Sequence, residues 1–145
     1  MTTEKQVNEM LKLAASRNIS TMNSTPAVTA AVDMSLFKKV YAVLVLGDMA
    51  NETVDFRLES AAADNFSGTV TTRVAATQLA ANASNNDNKQ IILELDNSQV
   101  AGDRYVRGRG VTGNTTGGNV AMLIFGVPFD STTDNAESVV EIKAA

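Results

Sequence analysis

The sequence predicts an all-β fold: an antiparallel β-sandwich or jelly-roll-like domain, with a short N-terminal helix and an extended arm. Three observations carry this. Six to eight segments are β-branched or apolar with period-two alternation. Turn signals built from Gly, Asn, Asp and Pro separate them at short intervals. No helical pattern lies between the strands, so a parallel sheet with crossover helices is excluded.

Residues 1–26 form the expected arm. In "TTEKQVNEMLKLAASR", Val7, Met10, Leu11 and Ala14 recur at helical spacing, Thr3 and Gln6 fit a capping box, and Arg17 suits the last turn. "NISTMNSTP" then reads as an extended linker ending at Pro26. Such an arm either packs on its own domain or reaches a neighbouring subunit, and Val7, Met10 and Leu11 are its candidate contact residues.

Residues 27–127 form the expected sandwich. "AVTAAVDM" opens it, and "LFKKVYAVLVLG" follows, closed by Gly47. Val40, Ala42, Leu44 and Leu46 share one face of that strand; Phe37, Tyr41, Val43 and Val45 share the other. Both faces are apolar, which predicts a central strand covered on both sides. "ETVDFRLES" alternates, with Val54, Phe56 and Leu58 inward and Thr53, Asp55, Arg57 and Glu59 outward. "GTVTTRVAA" reads as a further strand, "ATQLAANASNNDN" as a loop or frayed helical turn, and "KQIILELDNS" as a strand with Ile91, Leu93 and Leu95 on one face.

In "RYVRGRGVTG", Tyr105, Arg107 and Arg109 alternate with Val106, Gly108 and Gly110, so the arginines share a face. The two glycines leave room for a bulky neighbour or a bend. "GNTTGG" reads as a hairpin loop, and "NVAMLIFGVP" as its partner strand, stopped by Pro128. Residues 128–145 end in "SVVEI" and "KAA", either an edge strand or a tail.

The bulk numbers narrow the chemistry. The 145 residues fit one sandwich with flanking arms, and the net charge is −4, from 12 basic and 16 acidic residues. An acidic chain lacks the footprint of a nucleic-acid binder. No apolar run approaches the ~20 residues of a membrane span. The polar start "MTTEKQVNEM" predicts no secretory signal, hence synthesis in a cytoplasm, and the six Asn-X-Ser/Thr triplets then read as chance. There is no cysteine and no histidine, which removes disulfides, thiolate chemistry and the commonest general base.

The glycines at 108–118 match neither a Walker motif nor a dinucleotide fingerprint, because a strand rather than a helix follows them. Asp55, Glu59, Glu94 and Asp96 are carboxylates on strand faces that could serve glycoside hydrolysis. The chain has no tryptophan and two tyrosines, a poor supply of sugar platforms, so a solvated face is favoured. "NNDN" at 85–88 offers oxygen ligands but no EF-hand spacing. No catalytic residue, cofactor or metal is expected, and the reading is of a non-enzyme. Tyr105, Arg107 and Arg109 are candidates for a protein interface; the two arginines could instead pair with Asp55 or Glu59, since arginine suits bidentate carboxylate contacts, whereas phosphate contact is disfavoured in an acidic chain without interleaved aromatics.

Five segments carry a resemblance: "VDMS" before the strand at 37–46, "VDFRLESAAAD", "KQIILELD", "RYVRGRGVTG" and "NVAMLIFG". Together, over about residues 32–127, the chain resembles the head decoration, or cement, proteins of tailed bacteriophages. The likeness lies in a pattern of strands and turns, not in a catalytic motif. It implies a β-sandwich on the capsid exterior, assembled in the host bacterial cytoplasm. It also implies a homotrimer at three-fold and quasi-three-fold positions, with the major capsid protein as partner. Neither nucleic acid nor membrane is an expected partner. Two other readings stay open: another virion component such as a tail protein or a glycan-binding sandwich module, and a hydrolase using paired carboxylates.

Overall fold

A computed structural model describes residues 10–49, 51–81, 86–113, 118–130 and 133. Among the described residues, nine strands form two sheets: β1 (Lys12–Met22), β2 (Ala27–Val28), β3 (Val32–Asp33), β4 (Phe37–Leu46), β5 (Val54–Ala61), β6 (Thr71–Ala75), β7 (Gln90–Asp96), β8 (Tyr105–Thr112) and β9 (Gly118–Pro128). One sheet runs β1-β9-β4-β7. The other runs β2-β8-β5-β6, with β3 also pairing β8. Every pairing is antiparallel. A 3-10 turn, Asn97–Val100, joins β7 to the loop before β8.

One core lies between the sheets. Val40, Ala42, Leu44 and Leu46 of β4 meet Val54, Phe56 and Leu58 of β5 there, with Leu93 and Leu95 of β7 and Val120, Met122 and Ile124 of β9. These are the residues whose alternation marks them as inward. Removing this many large apolar side chains from water is the main favourable term of folding.

Gly108 and Gly110 sit inward on β8, as bulky neighbours require. A Cβ on Gly108 would lie 3.4 Å from the Phe56 ring, and one on Gly110 would lie 3.0 Å from Met22 Sδ. The two glycines give Phe56 and Met22 their space.

Three expectations are corrected. The N-terminal helix is replaced, from Lys12 onward, by β1, the edge strand beside β9. Residues 1–9 lie outside the described residues. The misreading has a physical source. Register breaks between Leu13 and Ala15 and between Arg17 and Ser20 interrupt the period of two. The helical spacing is read from Val7, Met10, Leu11 and Ala14, of which only Ala14 lies in β1, so the pattern belongs mainly to the residues before the strand. The expected linker at 18–26 is likewise strand as far as Met22.

Second, the loop 113–118 does not close a hairpin; its residues 114–117 lie outside the described residues. β8 and β9 belong to different sheets, because β8 is flanked by β2 and β3 on one side and β5 on the other, and β9 by β1 and β4. The connection crosses from one sheet to the other. Third, "AVTAAVDM" is not one strand. It breaks at Thr29, whose hydroxyl accepts the Gly108 amide at 3.0 Å in place of a ladder bond.

Candidate interaction surfaces

The two outer faces of the sandwich differ in chemistry. On the four-stranded sheet, the register places Leu13, Phe125, Tyr41 and Glu94 in one row across β1, β9, β4 and β7. The next row is Ser16, Leu123, Val43 and Ile92; a third holds Ala121, Val45 and Gln90. Tyr41, Val43, Val45, Leu123 and Phe125 are half-buried, while Ile92 is 66% exposed. Their strand neighbours 40, 42, 44, 122 and 124 point the other way, into the core.

β4 is central, as both its apolar faces predict, but only one face meets the second sheet. The cover expected on the other face is not supplied by that sheet. Charges border the apolar rows at one end: Lys39 pairs with Glu94 and lies 3.7 Å from Asp96. The Glu94 carboxylate beside it raises the Lys39 ammonium above its ordinary pKa.

The five-stranded sheet presents a polar outer face. Here β5 and β8 align Asp55 with Val111, Arg57 with Arg109, Glu59 with Arg107 and Ala61 with Tyr105. Glu59 belongs to the outward set, yet its side chain is 2% exposed because two guanidiniums close over it. Arg107 NH2 lies 2.6 Å from Oε1, and Arg57 NH2 lies 3.1 Å from Oε2. Arg107 also stacks 4.1 Å above the Phe66 ring centroid. Asp55 accepts the Gln78 amide on both oxygens, at 2.8 and 3.0 Å.

Beyond this face, Arg104 binds Asp33 with NH2 at 2.6 Å. The Arg104 hydrogen bonds hold the Asp33 carboxyl down at about 2 against an ordinary 3.8, with the Ser35 amide adding to the effect. Asp103 is lowered as well, first by the Ser60 hydroxyl at 2.6 Å and then by Arg73 at 2.9 Å. This ties β6 to the loop before β8.

The residues singled out from the sequence thus fall in two places. Tyr105, Arg107 and Arg109 share the polar outer face of β8. Met10, 47% exposed, and half-buried Leu11 precede β1 in the other sheet, and Val7 lies outside the described residues. Among the described residues, no group of three or more His, Cys, Asp or Glu could hold a metal ion, and no helix is long and apolar enough to cross a membrane. The feature the sequence reading missed is the apolar outer face made by Tyr41, Val43, Ile92, Leu123 and Phe125. Its signal in the sequence is that β4 and β9 are apolar on both sides, a pattern that a strand covered on both faces shares.

No family model matches the chain, and no curated protein matches it. Among solved structures it is similar to a protein from work on Bacillus endospore appendages, described there as a novel family of disulfide-linked pili. The TM-score is 0.44 at 13% identity, over 88% of this chain and 99% of that one. A likeness of that degree carries no functional argument, and these 145 residues contain no cysteine.

Proposed function

We propose that this chain is a structural virion protein, a head decoration protein that binds the outer surface of the expanded major capsid protein lattice. The observation that supports this best is the apolar outer face of the β1-β9-β4-β7 sheet. An antiparallel sheet facing water ordinarily alternates apolar inward with polar outward. Here Leu13, Tyr41, Val43, Val45, Ile92, Leu123 and Phe125 occupy the outward positions. A contiguous apolar area of this kind marks a protein-binding surface.

On this reading the protein works by mass action. It binds the expanded shell in preference to the unexpanded one and so shifts the equilibrium toward expansion. Each contact can be modest, because a homotrimer at three-fold and quasi-three-fold positions ties neighbouring capsomers together and raises the effective concentration of every further contact. The sandwich needs no moving part and no bound cofactor for this task.

The test is to mix the purified protein with expanded heads, unexpanded heads and isolated tails, then to measure co-sedimentation and image the particles. Added density at three-fold positions of expanded heads, with little on unexpanded heads, is the expected outcome. Binding to tails alone would favour the tail-component reading, which the same apolar face serves equally well. Binding to none of the three would reject a virion role.

A further inference from the structure

We propose that the polar outer face carries a docking site for a carboxylate-bearing segment of a partner protein, built by Arg109 together with Arg57. These two residues stand directly opposite each other on β8 and β5, so both guanidinium stems rise from one spot of the same face. Like charges directly opposite on an antiparallel ladder destabilise it. The neighbouring anions relieve only Arg57 of the pair. Glu59 already gives one oxygen to Arg107 and the other to Arg57. Asp55 gives both of its oxygens to Gln78. On the far side of Arg109 the register partner is Val28, which offers no charge.

Among the described residues, Arg109 therefore has neither a hydrogen bond nor an ion pair, although every other arginine of this face is engaged. It is half-buried and reachable, beside Arg57, whose side chain is 39% exposed. The free Arg109 fork matches the two oxygens of a carboxylate, and the exposed part of the Arg57 guanidinium beside it adds positive charge to the spot.

The surroundings select the kind of anion. Asp55 and Glu59 flank Arg57 on its own strand, two residues to either side, and so border the cationic spot with negative charge. The whole chain carries −4. A single carboxylate on a peptide or protein fits inside that border, whereas a run of phosphates meets repulsion along its length. This inference does not rest on the capsid reading and concerns the opposite face of the sandwich.

The test uses the intact chain with a fluorescently labelled, otherwise uncharged peptide carrying one glutamate, and with inorganic tripolyphosphate as the competing probe. The wild type is expected to bind the peptide at low salt and to lose it as salt rises. Arg109→Thr should weaken that binding about tenfold or more, with Arg109→Lys, which keeps the charge but not the fork, in between. The same Arg109→Thr change should raise the unfolding midpoint by about 1–3 °C, because it relieves the repulsion with Arg57.

Three results would overturn the site: no salt-dependent peptide binding by the wild type, preference for tripolyphosphate, or a lowered midpoint in Arg109→Thr, which would make Arg109 a structural residue. None of these readouts involves phage heads. Failure to bind heads with peptide binding intact would reject the decoration reading alone.

Discussion

Arg107 holds Glu59 from the adjacent strand, with Nε and NH2 at 2.7 and 2.6 Å from the same carboxylate oxygen. Arg57 takes the other oxygen, and the buried carboxylate is the charge on which both guanidiniums are organised. Glu59→Gln leaves two cations around a neutral amide. We expect a loss of about 2–4 kcal/mol in urea unfolding at neutral pH, the range for removing one partner of a buried charge cluster. Arg107→Ala should cost less, because Arg57 still neutralises Glu59.

Stability should depend on acid through Asp33. Its folded pKa, about 2, lies below the ordinary 3.8 because Arg104 donates to the carboxylate. A depressed carboxyl contributes stability that is fully present above the unfolded value and lost as pH falls through the folded one. Asp33→Asn should therefore be less stable than wild type at pH 7. The gap should narrow from about pH 4 downward and close only below about pH 2, once the folded carboxyl is also protonated. Thermal unfolding of the two proteins over that interval measures it. A gap that persists unchanged below pH 2 would assign the effect to something other than this ion pair.

Gly126 is where β9 yields to a ring. A Cβ there would fall 2.5 Å from Phe37 Cε1 and 2.7 Å from its Cγ, so the aromatic side chain of β4 occupies the space. Gly126→Ala should cost about 1–3 kcal/mol by overpacking. Combining it with Phe37→Leu should cost less than the sum of the two single changes, because the neighbours share one volume. Additive losses in a double-mutant cycle would contradict this.

The apolar outer face can be tested apart from the fold. Val43→Lys and Leu123→Glu alter half-exposed side chains on the face turned away from the core. Each should change unfolding free energy by no more than about 1 kcal/mol. Co-sedimentation with expanded heads should fall sharply for both. Unchanged co-sedimentation in both variants would remove this face from the contact.

Much of the sandwich was legible along the chain. β4, β5, β7, β8 and β9 each announce themselves through β-branched residues and a period of two, and their inward sets, such as Val54, Phe56 and Leu58, are the buried ones. The exception is Phe37, read with the opposite face of β4, which a register shift between Phe37 and Lys39 turns into the core. Alternation is a local property of a strand with one face in a core, so a local reading recovers it. The candidate arginines were likewise placed on one face by spacing alone.

Partnership was not local. β1 lacks a clean alternation because its register shifts twice, and it is a strand only because β9 offers an open edge beside it. β8 and β9 are neighbours in sequence but lie in different sheets, an outcome set by which long-range ladders fill their edges. The same holds for charge. The sequence determined that Arg107 and Arg109 would point together; only the β5–β8 register, which sets Glu59 against one and Arg57 against the other, made Arg107 a neutralised structural residue and left Arg109 a cation without an anion. Side-chain direction follows from backbone period, whereas neutralisation depends on what a distant strand brings alongside.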